Sequence, residues 1–366
     1  MITEEQVLNS LRTIQDPDLH QDIVTLGFIQ NLTIDGGRVS FTINLTTPAC
    51  PVREQFKRAA TDAVKTIAGV TDVAIQMTAT VRGTGRAPEQ TALPGVKHII
   101  AIASGKGGVG KSTLASNLAC ALQQTGATVG LLDADIYGPS QPKMLGTLNP
   151  PLSTTEDNQI IPWNQYGIKM MSMGFIVDDT TPVIWRGPMV HNILTQFVRQ
   201  VAWGALDYLL IDLPPGTGDA QLTITQTVPL TGAVIVTTPQ EVSIQIACKG
   251  LRMFSEVHVP VLGMVENMSY FLCGHCNERS PIFRHGGTRK ACELHGVPFL
   301  GEVPIDATVT LDGDEGKPTV LAHPDSASAA SYRAIAGQLA AQLSILTARS
   351  ATGTEQPATS GCCGGH

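Results

Sequence analysis

The sequence of 366 residues has no uninterrupted apolar run near the length of a membrane span, which needs about 20 residues. It also has no basic excess. Its formal net charge is -7, so neither nucleic acid nor an anionic membrane surface is expected as a main partner. Residues 1–6 are acidic and polar, whereas a secretory signal would be basic and then apolar. These absences predict a soluble, cytoplasmic protein.

The sequence also lacks the features of a disulfide-stabilised secreted protein, although it contains eight cysteines. In a long chain without a secretory signal, thiols are more typical of metal or redox chemistry than of a disulfide framework. Two pairs are close in sequence, Cys273 with Cys276 and Cys362 with Cys363. These pairs are therefore the first candidates for metal ligands.

The length of the chain allows two domains, each with its own core. Residues 1–82 contain a helix that begins at a capping box of Thr3 and Gln6, followed by two strands, a second helix and a last strand. This order predicts a small α+β domain. Residues 83–96 lack periodicity and have the composition of a linker. Residues 347–366 are too polar and glycine-rich to pack, so we expect a disordered tail.

Strands and helices alternate along the second predicted domain, residues 97–346. The strands are continuous runs of Val, Ile and Leu, as expected where helices cover both faces of a sheet. The alternation predicts an α/β fold with a mostly parallel sheet and helices on both faces. The predicted strands lie at 98–103, 128–133, 207–212, 232–237 and 260–265.

A glycine-rich loop at residues 105–112 follows the first of these strands and precedes a helix. It satisfies the pattern G-x-x-x-x-G-K-[ST] of the P-loop NTPases. Its glycines let consecutive N–H groups point inward, and the helix adds the positive end of its dipole, so the loop suits phosphate oxygens. Lys111 is expected to reach the β- and γ-phosphates, and the Ser112 hydroxyl to bind Mg²⁺. The predicted phosphate-binding residues are Gly105, Lys106, Gly107, Gly108, Val109, Gly110, Lys111 and Ser112.

Three aspartates follow strands of the predicted sheet. Asp133 and Asp135 form a D-x-D at the end of one strand, and Asp212 ends another strand that has the form of a Walker B motif. Ligands bind at the carboxyl ends of parallel strands, and a Walker B aspartate holds the metal through water. Together with Ser112, Asp133 and Asp212 are the predicted Mg²⁺ residues.

Lys106 extends the loop pattern to K-G-G-x-G-K-[ST], which resembles the deviant Walker A motif of the MinD/ParA-like ATPases. That resemblance implies a homodimer in which each Lys106 reaches the partner's ATP and neutralises charge during phosphoryl transfer. It also implies that Asp135 orders the attacking water and that Asp133 lies nearer Mg²⁺. Lys106, Lys111 and Asp135 are therefore the predicted catalytic residues. Asn267, which follows a strand, is expected to recognise adenine, with a role only in the turn as the alternative.

Five segments resemble one family within that class, the Mrp/ApbC-type iron-sulfur cluster carriers. These segments are residues 133–140, 185–189, 212–219, 236–240 and 266–270. The first domain resembles the MIP18-like domain that often precedes such carriers, on the basis of Asp16-Pro-Asp, residues 26–29 and Cys50-Pro51. The resemblance implies a slow ATPase that binds a labile cluster, interacts with a cluster assembly scaffold and transfers the cluster to apoproteins.

Cys273 and Cys276 form a C-x-x-C that supplies two thiolates, two fewer than a four-cysteine cluster needs. The family resemblance implies that the second subunit supplies the other two, so that a 4Fe-4S cluster bridges the dimer. One alternative is a zinc site within one chain, because Cys292 and His295 complete a C-x₂-C-x₁₅-C-x₂-H pattern. In that alternative, the protein is a zinc-stabilised MinD/ParA-like ATPase switch with a regulatory or partitioning role. Redox-active or unligated thiols are the third possibility.

Two further sets of thiols carry hypotheses. Cys50 lies between prolines at the start of a predicted helix, a position that lowers the pKa of a thiol. It is a candidate for receiving or passing on a cluster, with a buried structural cysteine as the alternative. Cys362, Cys363 and His366 on the predicted tail are candidates for transient metal capture, unless the tail has no function.

Overall fold

A computed structural model describes residues 2–84, 93–176 and 187–352. Most of the predicted linker, the first two residues of the 185–189 segment and the tail cysteines lie outside the described residues. Among the described residues, no helix combines the length and apolarity that crossing a bilayer requires.

The N-terminal domain has a three-stranded sheet in the order β1-β2-β3, with β1 antiparallel and β3 parallel to the central β2. Its first helix begins at the predicted capping box, in which the N–H of Gln6 donates to Thr3 Oγ1 and the N–H of Thr3 donates to Gln6 Oε1. A separate apolar core includes Val7, Phe41 and Phe56. The elements are α1 (Glu4–Leu11), β1 (Ile29–Asp35), β2 (Arg38–Leu45), α2 (Arg53–Lys65) and β3 (Asp72–Ala79).

The second domain is built on an eight-stranded sheet in the order β13-β10-β9-β4-β8-β5-β7-β6. All neighbouring strands run parallel except β6 and β7, an antiparallel pair at one edge. The sheet confirms the predicted α/β fold. Its strands are β4 (Val96–Ser104), β5 (Val129–Asp133), β6 (Trp163–Gln165), β7 (Ile168–Ser172), β8 (Leu206–Asp212), β9 (Gly232–Thr237), β10 (Val261–Glu266) and β13 (Phe299–Glu302). A separate small hairpin consists of β11 (Phe271–Leu272) and β12 (Arg279–Ser280).

Helices flank this sheet and bury its apolar strands. Helix α3 packs on α11, helix α7 packs on α8, and both pairs contact the sheet. The helices are α3 (Lys111–Gln124), α4 (Gln141–Met144), α5 (Gly187–Arg199), α6 (Asp219–Thr227), α7 (Glu241–Glu256), α8 (Gly287–His295), α9 (Ala307–Glu315), α10 (Thr319–Ala322) and α11 (Ala327–Thr352). Helix α11 continues past Leu346, where the ATPase domain is predicted to end, so residues 347–352 of the predicted tail are helical.

The two domains are in contact through their polar and apolar side chains. Thr47 Oγ1 lies 2.9 Å from the hydroxyl of Tyr208 on β8, and Thr46 donates to Ser344 on α11 at 3.0 Å. Ala49 also packs in the core of the second domain. The loop before α2 therefore joins the first domain to the ATPase-like sheet.

Candidate functional site

The P-loop lies between β4 and α3, as its motif predicts. Gly108 and Gly110 have φ angles of +77° and +80°, which side-chain-bearing residues rarely adopt. Position 105 has no space for a side chain, because a Cβ added to Gly105 would lie 2.6 Å from Ile246 Cγ2 on α7. These local requirements explain why the loop has glycine at these positions.

The two principal charges of the site form a buried ion pair. Lys111 is only 6% exposed, and its Nζ contacts Oδ1 of the fully buried Asp212. The same Nζ lies 3.2 Å from the hydroxyl of Ser112. Because a buried charge needs a partner, the Walker B aspartate balances the P-loop lysine in this structure.

Asp133 is fully buried beside this ion pair. Its Oδ2 accepts hydrogen bonds from the N–H groups of Ser140 and Gln141, both at 3.0 Å, and from the hydroxyl of Ser172 at 3.1 Å. Burial, followed by the nearby Asp212, raises the pKa of the Asp133 carboxyl above its usual value.

Asp135 is half-buried and has weaker local contacts. Its N–H donates to Asp133 at 3.2 Å, and its own Oδ1 accepts from the N–H of Gly138 at 3.3 Å. Burial raises the pKa of Asp135, and the positive charge of Lys111 acts in the opposite direction. The structure therefore brings both predicted aspartates of the D-x-D near the P-loop lysine.

The side chains at this edge of the sheet fit a hydrated magnesium ion. Ser112, Asp133 and Asp212 supply oxygen atoms, the ligand type that Mg²⁺ prefers. Two further buried oxygens, Ser140 Oγ and Gln141 Oε1, have no hydrogen-bond partner within the described parts of the chain. These oxygens lie beside two carboxylates and can accept hydrogen bonds from the water molecules bound to a cation.

A cavity of about 1040 Å³ opens beside the P-loop and is bordered by Asn267. The carboxamide nitrogen of Asn267 donates to the carbonyl of Val109 at 2.9 Å, so this side chain is held directly against the loop. Sequence reasoning missed the other wall of the cavity, Pro304 to Asp306 after β13, because that segment matches no motif.

Lys106 is half-buried, and its backbone carbonyl accepts a hydrogen bond from the hydroxyl of Ser104 at 3.1 Å. No salt bridge to its ammonium group is present within the described residues. The structure contains one chain, so the predicted reach of Lys106 to a second subunit stays a prediction.

Cys273 and Cys276 lie at the turn of the small hairpin. The N–H of Cys273 donates to the carbonyl of Glu278 at 3.0 Å, and the N–H of Asn277 donates to the carbonyl of Cys273 at 2.9 Å. Hydrogen bonds from the N–H groups of Cys276 and His275, and then from the Cys276 side chain, lower the pKa of Cys273. The turn therefore favours a thiolate, the form that binds metals.

The surroundings of this hairpin are exposed and partly apolar. Phe271, Ile282 and Phe283 are 41%, 55% and 47% exposed, and all belong to the hairpin or the segment that follows it. Cys276 itself is exposed and Cys273 is half-buried. Exposed apolar side chains that lie close together are typical of protein interaction surfaces.

The zinc set within one chain is not assembled. Cys292 is buried in α8, where burial raises the pKa of its thiol to about 12, whereas Cys276 is exposed to solvent. Among the residues that the structure describes, no group of three or more Cys, His, Asp and Glu side chains is arranged to hold a metal ion. The arrangement therefore does not favour the alternative with Cys292 and His295.

The prediction of a lowered thiol pKa at Cys50 was wrong. Helix α2 begins at Arg53 with Val52 as its N-cap, so Cys50 lies before the helix end that would stabilise a thiolate. Burial, with a smaller effect from Asp16 and Asp18, raises the pKa of Cys50 to about 11. Its environment is that of a structural cysteine.

Two protein families match the chain, one over each of two separate segments. Residues 95–340 match the NUBPL iron-transfer P-loop NTPase family, and residues 4–77 match a family described as iron-sulfur cluster assembly protein.

Curated relatives match almost the whole chain. An iron-sulfur cluster carrier protein from Synechocystis is 52% identical over 349 residues, which are 94% of this chain and 99% of the relative. The iron-sulfur cluster carrier protein of Escherichia coli K12 is 40% identical over 337 residues, which are 92% of this chain and 91% of the relative.

Solved structures resemble the second domain. A nucleotide-binding protein from Archaeoglobus fulgidus in complex with ADP is 40% identical, with a TM-score of 0.56, and the match covers 62% of this chain and 88% of that one. MinD from Pyrococcus horikoshii, complexed with Mg-ADP, shares the fold at 22% identity and a TM-score of 0.50, over 65% of this chain and 94% of its own.

The P-loop geometry, the buried Lys111–Asp212 pair and the parallel sheet agree with the family match over residues 95–340, which covers more than half of the chain. The chain therefore belongs to the NUBPL iron-transfer P-loop NTPase family and carries an iron-sulfur cluster assembly domain at its N-terminal side.

Proposed function

We propose that this protein is an ATP-hydrolysing iron-sulfur cluster carrier, in which two subunits hold one labile cluster and deliver it to apoproteins. The observation that carries the proposal is the exposed C-x-x-C turn, where backbone N–H groups favour a thiolate at Cys273. Relatives that match more than nine tenths of the chain are named iron-sulfur cluster carrier proteins, which agrees with that chemistry.

The number of thiolates argues for two subunits. One hairpin offers only Cys273 and Cys276, whereas a 4Fe-4S cluster takes four cysteines. A two-fold axis beside the hairpin would bring in the same pair from a second copy. Ile282 and Phe283 are exposed next to these thiols, and burying them between subunits would contribute favourable free energy to the dimer.

The cavity beside the P-loop supports ATP as the nucleotide. One hydrogen of the Asn267 amide nitrogen is donated to the carbonyl of Val109, which turns that nitrogen toward the loop and leaves the side-chain oxygen available as an acceptor. An acceptor suits the 6-amino group of adenine and not the 6-oxo group of guanine. Asn267 therefore has a role in the loop and a role in base recognition.

We infer the hydrolytic roles from the same geometry. Lys111 would exchange its ion pair with Asp212 for the β- and γ-phosphates, while Asp135 orients the attacking water. Lys106 would neutralise charge on the nucleotide of the partner subunit. Bound Mg²⁺, held by Ser112 and through water by Asp133 and Asp212, would supply further positive charge at the phosphates.

A hydrogen-bonded network offers a physical link between nucleotide and cluster. Glu266 directly precedes Asn267 in the chain, and its carboxylate accepts a hydrogen bond from the hydroxyl of Ser269 at 2.6 Å. The same hydroxyl lies 3.2 Å from the carboxylate of Glu302. Glu302 in turn pairs with Arg279 on the cysteine hairpin at 3.0 Å. Nucleotide binding at Asn267 can therefore alter the position of the cysteine hairpin through these hydrogen bonds and this ion pair.

The decisive experiment is cluster transfer from anaerobically reconstituted protein to an apo-enzyme. We expect wild type to be dimeric, to contain iron and sulfide, and to activate the apo-enzyme. Cys276→Ser should bind ATP normally but lose cluster and transfer, while Ile282→Asp should weaken the dimer and the cluster together. Stoichiometric zinc without sulfide, or a protein that stays monomeric with cluster and nucleotide, would refute the proposal.

A further inference from the structure

Gln141, the first residue of α4, is fully buried between the P-loop helix and the Walker B strand. Its Nε2 donates to the carbonyl of Ser112 at 3.0 Å and to Oδ2 of Asp212 at 2.8 Å. Its backbone N–H donates to Asp133 at 3.0 Å. One residue thus contacts all three residues of the predicted Mg²⁺ set.

The two partners of the Gln141 amide determine its orientation. Both are acceptors, so the opposite orientation would place the amide oxygen against two other oxygens. Oε1 is consequently left buried and without a partner among the described residues, as is the hydroxyl of the adjacent Ser140. An unsatisfied buried acceptor is unfavourable, so the site favours an added hydrogen-bond donor.

The remaining contacts of the site indicate which donor is missing. One oxygen of Asp212 contacts Lys111, and the other accepts a hydrogen bond from Gln141. Asp133 accepts hydrogen bonds from four donors. The unpaired atoms are therefore neutral oxygens next to buried carboxylates. A hydrated divalent cation supplies such donors. The carboxylates attract the cation, and the neutral oxygens accept hydrogen bonds from its water molecules.

We propose that Gln141 is a positioning residue for hydrated Mg²⁺ at the nucleotide site. Its amide nitrogen holds Asp212 in place, and its amide oxygen accepts a hydrogen bond from a water on the cation. The inference rests on the proposed nucleotide function, because the cation is expected to enter with ADP or ATP. Sequence reasoning missed Gln141 because it belongs to none of the Walker motifs.

The test compares ADP affinity in excess Mg²⁺ with ADP affinity in EDTA, by titration calorimetry on the full chain. Gln141→Met keeps an unbranched side chain but removes both polar atoms. We expect the factor by which Mg²⁺ raises ADP affinity to be about tenfold smaller in this variant than in wild type. Tenfold is the lower end of the range for losing a residue that hydrogen-bonds to a metal ligand. ADP affinity in EDTA should change much less than ADP affinity in excess Mg²⁺. Gln141→Leu is the second variant if Gln141→Met does not fold.

Gln221→Met is the matched control. Gln221 is also buried, and its Nε2 donates to the carbonyl of Pro214 at 2.8 Å and to that of Ser104 at 3.5 Å. Neither contact involves a predicted Mg²⁺ residue. This variant should keep the wild-type Mg²⁺ effect. An unchanged Mg²⁺ effect in Gln141→Met, or an equal loss of affinity in both buffers, would overturn the inference. Failure of wild type to bind ADP in either buffer would instead refute the proposed nucleotide function.

Discussion

The carboxamide nitrogen of Asn267 lies 2.9 Å from the carbonyl oxygen of Val109, which joins the end of β10 to the P-loop. These residues are far apart in sequence, and the contact leaves no space at Gly110. A Cβ added to Gly110 would lie 2.1 Å from that same amide nitrogen. The P-loop and Asn267, the residue proposed to recognise the base, are therefore parts of one packed unit.

Gly110→Ala should destabilise the protein even without nucleotide. The substitution places a side chain at a φ of +80° and against Asn267, so we expect a loss of about 1–3 kcal/mol in the free energy of unfolding. Gly107→Ala is the control, since an added Cβ there meets no atom within 4 Å and the φ is not positive. Urea unfolding without ligand measures both. Equal destabilisation by the two variants would contradict the explanation.

The cysteines of the hairpin and of α8 should behave differently on substitution. Cys276→Ser should abolish cluster binding, because Cys276 is an exposed member of the C-x-x-C. Cys292→Ala should keep the cluster and lose only about 1 kcal/mol of stability, as expected for a small buried side chain. Iron, sulfide and zinc analysis after anaerobic reconstitution distinguishes them. Loss of bound metal in Cys292→Ala would support the intrachain zinc site.

Arg279→Ala should loosen the cysteine hairpin. Arg279 pairs with Glu302 at 3.0 Å, and its guanidinium lies 4.3 Å from the ring centroid of Tyr270. Losing both contacts removes about 1 kcal/mol, so we expect cluster loss to a chelator to be about fivefold faster.

Arg284→Ala is the matched control for Arg279→Ala. Arg284 is an exposed arginine nearby, and its ion pair with Glu241 at 2.7 Å does not involve Glu302. It should release the cluster at the wild-type rate in the same chelator assay. Similar acceleration in both variants would indicate a general charge effect on the cluster.

His98 should make stability depend on pH. Its ring is buried, donates a hydrogen bond to the carbonyl of Arg82 and stacks on Tyr208, with ring centroids 5.8 Å apart. Burial lowers the pKa of His98 to about 4. The unfolded chain, with a histidine pKa of about 6.5, binds more protons below that pH. Stability should therefore fall from about pH 6.5 to about pH 4, by about 2 kcal/mol between pH 7 and pH 5.

His98→Phe tests this assignment, because phenylalanine can stack on Tyr208 but cannot take up a proton. Urea unfolding at pH 7 and pH 5 should show a smaller difference in the variant than in wild type, by about 2 kcal/mol. The comparison uses the pH difference within each protein, so a constant loss of stability in the variant does not affect it. The same difference in both proteins would remove His98 as the cause.

Several elements could be predicted because their information is local. The strand predicted at 98–103 is observed as β4, and the helix predicted after the P-loop begins at Lys111. Runs of β-branched and aliphatic residues specify a buried strand, and glycine at positive φ specifies a tight loop, without reference to the rest of the chain. The short edge strand β6 and its neighbour β7 escaped prediction because three to five residues carry too little pattern.

Residue type and short spacing were enough to predict the P-loop, the order of the Walker motifs, the α/β alternation and the C-x-x-C pair. The tertiary structure alone places Asn267 against Val109, Gln141 between Ser112 and Asp212, and Cys50 in a half-buried position. Contacts between distant segments arise from packing the sheet and its helices. Burial and hydrogen bonding, which set the pKa of a thiol or the partner of an amide, exist only after that packing.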